Sequence, residues 1–483
     1  MSISTTNPLD GLLAIRDGNP SARWNFPLAI GSARDAPAGI GSGVSLTYHF
    51  PTSQPGYFST SGLSGFQPAT TTEQQATRQV LASYSSWLNI QFQEQQSSGQ
   101  LSFANSSQGS GTGGFAYYPS YSYLFTGNTI TAVTENEKSG DVWLNASAHE
   151  ADSDWLPGGD GYATLLHEIG HALGLKHPFE GAVTLASSLD NERYTVMSYA
   201  DASNTNIVHV SGTSSSYSYT WEPLRPSTLM PLDFVALKHL YGANPNSQAG
   251  NTTYQWDRDA EILETINDAS GIDTIDASNQ RLSCRLDLRA GTYSSIGIRS
   301  TDAQKRSALG LPGWFKDLPE GTYNGKENLA IAAGVTIENA FGGTSRDVLI
   351  GNNHNNLLCG GPGRDVMTGG GGNDSDSFLF NASPSTANSD TLKDFHPATD
   401  RILLDDDIFT RFLGSPSGIA LNAEALHIGS APTSSTDHLI YDTTTDLLSY
   451  APDGNASSTL LPIATILLPG DQALTASALF IID

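Results

Sequence analysis

Residues 342–374 repeat with a nine-residue period, and that period limits the fold more than any other feature of the chain. The first copy reads Gly342-Gly343-Thr344-Ser345-Arg346-Asp347-Val348-Leu349-Ile350, and later copies start at Gly351, Gly360 and Gly369. A fixed period of this kind marks small units stacked one on the next. The glycines admit a tight turn with inward carbonyls. The sixth position, Asp347, Asn356, Asp365 or Asp374, supplies a side-chain oxygen. The eighth, Leu349, Leu358 or Met367, is the core residue of a short strand. A flexible glycine linker has no reason to keep its acids in phase. The charge balance agrees: 23 basic against 49 acidic residues give a formal charge of −26. Such a surface suits Ca²⁺, which takes oxygen ligands. It excludes nucleic acid and anionic membranes, whose phosphates need Lys and Arg patches.

The run His167-Glu168-Ile169-Gly170-His171-Ala172-Leu173-Gly174-Leu175-Lys176-His177 carries the chemistry. On a helix, His167 and His171 share one face. Both can reach one Zn²⁺ at the usual distance of about 2.0–2.1 Å. Gly174 ends the helix and turns the chain, so that His177 returns as a third ligand, and Pro178 discourages further helix. Three protein ligands leave a position open, as catalytic zinc requires. Glu168 points beside the metal and suits a general base acting on activated water.

These residues resemble the extended zinc motif of the metzincin endopeptidases. In Tyr194-Thr195-Val196-Met197-Ser198-Tyr199, the resemblance makes Met197 an apolar floor beneath the imidazoles. It makes Tyr199 a phenol that ligates zinc at rest and stabilises the oxyanion when substrate binds. Taken by itself, Tyr199 also reads as a buried tyrosine with a hydrogen-bonded hydroxyl. The segment with Phe115, Ala116 and Tyr117 resembles the edge strand above a metzincin cleft, where an extended peptide pairs with free backbone groups. Thr70 to Thr72 offer caps for a helix, with Glu73 or Gln74 closing a capping box. Pro231 to Tyr241 reads as a helix closed by Gly242, and Asp233 to Asn244 resembles the end of a serralysin catalytic domain.

The nonapeptides resemble RTX repeats, which implies a parallel β-roll. Turns eighteen residues apart then stack, pairing Asp347 with Asp365 and Asn356 with Asp374 around Ca²⁺. Carbonyls of Gly343, Ser345, Gly360 and Pro362 would complete the first site, with Gly369 and Gly371 contributing from the fourth copy. The second copy lacks an acid, and fewer charged ligands mean weaker affinity. An upstream turn brings Glu338 and stacks on that copy. Gly271 to Asp276 supplies Asp273, whose distant acidic partner is replaced by serine near Ser295. Asp390 to Phe395 and Asp400 to Leu404 resemble the serralysin C-terminal sandwich.

The fold expected is an α+β metzincin catalytic domain over 1–245, followed over 246–483 by an all-β calcium-binding parallel β-roll and sandwich. The expected function is a secreted zinc-dependent endopeptidase using one Zn²⁺ and several Ca²⁺. Met1 to Asn7 shows no start of a cleavable secretory signal. The apolar end Ala478 to Asp483 reads either as an uncleaved type I secretion signal or as a terminal core strand. Expected partners are protein and peptide substrates, the type I secretion machinery and a periplasmic proteinaceous inhibitor. Neither nucleic acid nor membrane insertion is expected, and the chain is taken as a monomer. Two cysteines, Cys284 and Cys359, make no disulfide framework; their sequence leaves a single pair open, and two buried free thiols are the reading preferred. One alternative is a calcium-dependent extracellular binding protein or adhesin with an inactive protease domain. Another is a metal-dependent hydrolase of a non-peptide substrate.

Overall fold

The computed structural model describes residues 8–16, 19–20, 22–26, 28–33, 39–149, 151–371, 374–454, 459–470 and 472–483. Met1 to Asn7, from which the lack of a leader was read, lie outside the described residues.

The first half is built on strands β1 (Val44–His49), β2 (Ile90–Glu94), β3 (Leu101–Ser106), β4 (Gly114–Ala116) and β5 (Val142–Asn145), in the order β2-β1-β3-β5-β4. The first four run parallel, and β4 lies antiparallel to β5 at the edge. β3 and β5 are buried along their whole length, as strands covered on both faces must be. Helix α1 (Thr71–Trp87) starts on the expected capping box: Thr70 N–H donates to Glu73 Oε2 at 2.6 Å, and Glu73 N–H donates back to the Thr70 hydroxyl. Its Tyr84 hydroxyl donates to the Leu166 carbonyl at 2.7 Å, tying α1 to α2 (Asp160–Ala172). A hairpin follows, β6 (Asn206–Thr213) with β7 (Ser216–Pro223), and then α3 (Pro231–Tyr241) opens on proline and is closed by Gly242.

The second half is wound from very short strands. We label β8 (Thr274–Asp276), β9 (Arg285–Asp287), β10 (Asn339–Phe341), β11 (Val348–Ile350), β12 (Leu357–Cys359), β13 (Val366–Thr368), β14 (Ser377–Phe380) and β15 (Asp390–Leu392). Alternate strands join two parallel sheets, β8-β10-β12-β14 and β9-β11-β13-β15. Leu286, Leu349, Met367 and Leu392 form one column of fully buried side chains, and Ile275, Ala340, Leu358 and Phe378 form the facing one. Cys284 and Cys359 are buried free thiols. The terminal segment Leu479–Ile482 pairs parallel with Arg401–Asp405 and buries Leu479 and Ile481. No strand of the first sheet pairs with one beyond Thr253 among the described residues.

One register differs from the expected eighteen residues. Leu349 stacks on Met367 as anticipated, whereas Leu358 stacks on Phe378, two residues further on. The fourth copy is longer by those two residues, so Asp376, not Asp374, reaches the turn position opposite Asn356. The Asn356 N–H donates to Asp376 Oδ1 at 2.9 Å. Asp376 also folds over the first glycine of its copy, Gly369, as Asp347 and Asp365 fold over Gly342 and Gly360.

Truncating a column residue leaves a cavity with nothing to fill it. Leu349→Ala is expected to lower the unfolding free energy of the second half by about 2–5 kcal/mol. Urea unfolding followed by circular dichroism measures this; an unchanged midpoint would remove Leu349 from the core.

Candidate metal centre and cleft

The helix carrying His167 and His171 ends where the chain demands it. Gly174 has φ +108°, and a Cβ there would stand 2.0 Å from the Ala22 carbonyl oxygen, so only glycine makes this turn. The turn brings His177 back. Its Nε2 lies 3.2 Å from His167 Nε2 and 3.0 Å from His171 Nε2. Nitrogens about 2.0–2.1 Å from one tetrahedral centre stand roughly 3.3 Å apart, so the donor set fits Zn²⁺.

The far sides of the rings settle which nitrogen is protonated. His167 Nδ1 faces the Val196 carbonyl at 2.8 Å and His171 Nδ1 the Leu175 carbonyl at 2.7 Å. A carbonyl can only accept, so both Nδ1 atoms carry protons and both Nε2 lone pairs point at the centre. Burial depresses both imidazoles, His167 to about 4 and His171 well below its ordinary value, and so keeps them neutral and ready to ligate. His177 Nδ1 is 2.8 Å from Glu180 Oε1, close in distance though not aligned as a hydrogen bond.

Behind this layer sits Asp233, which is fully buried. It accepts from the Thr195 hydroxyl at 2.6 Å, Val196 N–H at 2.8 Å and Met230 N–H at 2.9 Å, which fixes the turn that supports His167. Met197 is fully buried, and a Cβ on Gly170 would stand 2.7 Å from its sulfur, so glycine in the helix leaves room for the thioether. Tyr199 is 69% exposed rather than a buried hydrogen-bonded tyrosine. Its ring centroid is 4.5 Å from that of His177 and 5.6 Å from that of His167.

Glu168 lines a cleft of about 760 Å³ together with His167 and Tyr199. Its carboxylate is buried, Oε2 has no partner, and desolvation pushes the group up to about 8. β4 borders the same place: a Cβ on Gly114 would sit 3.2 Å from Glu168 Cγ. Phe115 and Ala116 pair with Trp143 and Val142, and Tyr117 N–H donates to the Asp141 carbonyl, which leaves the outer edge unpaired within the sheet.

In the roll, turn acids stack as a ladder. Asp347 N–H donates to Asp365 Oδ1 at 2.7 Å and Asp365 N–H to Asp390 Oδ1 at 2.9 Å; Asp376 N–H donates to Asp400 Oδ1 at 3.2 Å. Carbonyls of Gly343, Ser345, Gly360 and Gly369 crowd Gly361, Gly363, Gly342 and Gly351 of the neighbouring turns. Pro362 lies within one of these turns, and Gly371 is exposed at the end. Buried oxygens without donors remain on Asp365, Asp374 and Asp273, positions that a cation would satisfy. Asp273 N–H donates to Glu338 Oε2 at 2.7 Å. Ser295 is placed elsewhere, its hydroxyl accepting from Glu327 N–H at 2.9 Å.

Sequence reasoning missed Asp233, Glu180 and Asp376 as contributors. For Asp376 a signal existed, in the acid recurring two residues after Asp374. Asp233 and Glu180 act through contacts no local pattern announces.

Comparison with known proteins finds serralysin-type relatives. The family described as "Peptidase M10 serralysin C terminal" matches residues 321–414. Metallopeptidase AprA of Pseudomonas marginalis is 31% identical over 339 residues, covering 65% of this chain and 61% of that protein. Metalloprotease AprA of Pseudomonas entomophila is 31% identical over 340 residues, covering 65% and 60%. Serralysin of Proteus mirabilis is 30% identical over 240 residues, covering 46% and 41%. The chain thus spans less than two thirds of these relatives' length.

Burial raises the turn acids, Asp347 to about 6, Asp376 and Asp390 to about 7 and Asp365 to about 8, with repulsion from neighbouring carboxylates adding to the last three. The folded, cation-free roll therefore holds protons that the unfolded chain releases near pH 4. Its stability is greatest in acid and falls as pH rises through about 6–8. Melting in a chelator at pH 5 and pH 8 is expected to show the lower midpoint at pH 8; equal midpoints would contradict the burial of these acids.

Proposed function

We propose that the chain is a secreted zinc-dependent endopeptidase, with a catalytic unit over residues 1–245 and a calcium-binding roll and sandwich over 246–483. The observation that carries this reading is the convergence of three imidazole Nε2 atoms beside a buried, unpartnered Glu168 carboxylate in an open cleft. An inactive binding protein would leave that orphaned carboxylate without a reason.

His167, His171 and His177 would hold Zn²⁺, which supplies Lewis acidity towards a peptide carbonyl and water. Glu168 takes a proton at its free oxygen and passes it to the leaving amine, a role worth about 10²–10⁴ in rate. The β4 edge aligns an extended peptide through backbone hydrogen bonds, with Phe115, Ala116 and Tyr117 beside the cleft. Tyr199, exposed, stacked on His167 and tilted beside His177, would ligate at rest and donate to the developing oxyanion.

Asp347, Asp365, Asp390 and the backbone carbonyls around them are the strongest calcium candidates, with Asp273 and Glu338 forming another. Asn356 and Asp376, with fewer charges, make a weaker one. At the ~10⁻⁴–10⁻³ M affinity of extracellular modules, Ca²⁺ couples folding of the roll to arrival outside the cell. Export by a type I machinery and restraint by a periplasmic inhibitor fit this scheme. No helix among the described residues is long and apolar enough to cross a membrane.

Purified chain is expected to bind one Zn²⁺ by elemental analysis and to cleave casein. Glu168→Ala should keep the metal and lose at least about 10²-fold in kcat/KM. His171→Ala should lose the metal. Full activity in Glu168→Ala would sink the reading. For the roll, far-UV circular dichroism at pH 8 is expected to gain strand signal as Ca²⁺ is titrated in; a spectrum and melting midpoint that Ca²⁺ leaves unchanged would argue against the coupling.

A further inference from the structure

From His167 and Glu168 the cleft runs along α2 towards its start. Asp160, Ala163, Thr164, His167 and Glu168 line it, at the spacing of one helix face. At 1.5 Å per residue, Asp160 lies about 10 Å from His167 along the axis. That is within reach of a long side chain carried by a peptide whose backbone passes Glu168.

The wall there is charged. Arg225, just beyond β7, donates Nε to Asp160 Oδ1 at 2.6 Å. Its Nη1 donates to both Glu192 oxygens at 2.9 Å and to Asp201 Oδ1 at 2.7 Å. One guanidinium is thus shared among three carboxylates, and no other lysine or arginine lines the cleft among the described residues. The cluster keeps a net negative charge. Burial pushes Glu192 up to about 7 even beside Arg225, and two further acids remain. The side chain of Asp160, which lines the cleft, is 55% exposed and can meet an occupant, while Glu192 at 11% anchors Arg225 from within and Asp201 at 48% pairs with it from outside the lining. At its other end the same cleft holds the buried Glu168 oxygen that no group partners.

We propose that the region walled by Asp160, Glu192 and Arg225, with Asp201 holding Arg225 from outside the lining, is a specificity pocket for a cationic side chain, lysine or arginine, on a residue flanking the cleaved bond. The inference rests on the endopeptidase reading and adds the substrate class to it. Arg225 already serves three acids through its Nε and Nη1 donors, so an acidic side chain entering beside it meets more negative than positive charge. Its part is to hold three acids together without neutralising them. A carboxylate in the substrate would meet like charge, and a leucine would leave the acids' hydration unreplaced.

The test uses zinc-loaded full chain and matched fluorogenic peptides differing only in lysine, leucine or aspartate at the positions flanking the scissile bond. Expected is a kcat/KM for lysine about tenfold above leucine, with aspartate lowest, and a preference that shrinks as salt shortens the Debye length to about 3 Å at 1 M. Asp160→Asn combined with Asp201→Asn should bring the lysine-to-leucine ratio close to one. The ratio is taken within one preparation, so partial loss of folded enzyme cancels, and Asp160→Asn alone serves if the double variant does not fold. A wild-type ratio of one or below, or a ratio unchanged in the variants, overturns the proposal. Binding of labelled lysine and leucine peptides to Glu168→Ala, read by fluorescence anisotropy, separates the two claims. A lysine preference there with no cleavage by wild type sinks the endopeptidase reading and keeps the pocket; equal binding sinks the pocket.

Discussion

The arrangement of the metal centre depends on one buried carboxylate. Asp233 gathers the Thr195 hydroxyl and the backbone of Val196 and Met230, and the Val196 carbonyl in turn takes the proton of His167. The tilt of an imidazole on one helix is thereby set by the first turn of another. Each buried donor left unpaired would cost about 1–3 kcal/mol. The bracket therefore forms as a whole, together with the seat of the Met197 thioether against Gly170.

The roll applies the same logic with different atoms. Packing columns of Leu, Met and Phe fix where the turns lie, and the turns then press carboxylates over glycines and over one another. At the metal centre, packing and carbonyl hydrogen bonds aim neutral imidazole lone pairs at one point. In both places apolar burial pays for bringing like groups together, and a cation is the natural means of relieving them. The halves are linked as well: Arg193, beside the supporting turn of the metal centre, donates to the carbonyl of Lys326 in the second half at 3.1 Å.

Local patterns carried much of this. The i,i+4 histidines, the glycine that turns the chain, the capping box at Thr70 and the strand phase of Leu349, Leu358 and Met367 all depend on sequence spacing, and all were legible. What escaped were features set by contacts across the fold. The extra two residues of the fourth copy move the turn acid to Asp376, which a strict period conceals. Asp233 stood only as the start of a segment resembling a serralysin helix, since two of its partners, Thr195 and Val196, lie in a distant turn. Arg225 stood in a stretch without periodicity, and its three carboxylates come from three separate segments. Tyr199 was legible by position, whereas its exposure followed only from how the turn after Met197 leaves the core.

The ladder of the roll has a direction. Each rung is an amide of an earlier turn resting on a carboxylate of a later one: Asp347 on Asp365, Asp365 on Asp390, Asn356 on Asp376, Asp376 on Asp400. Trimming the array from its amino end bares carboxylates, which water readily solvates. Trimming it from the carboxyl end strands buried amides that have nowhere else to donate. The two ends are therefore unequal: one tolerates erosion, and the other acts as the foundation course on which every earlier turn is laid.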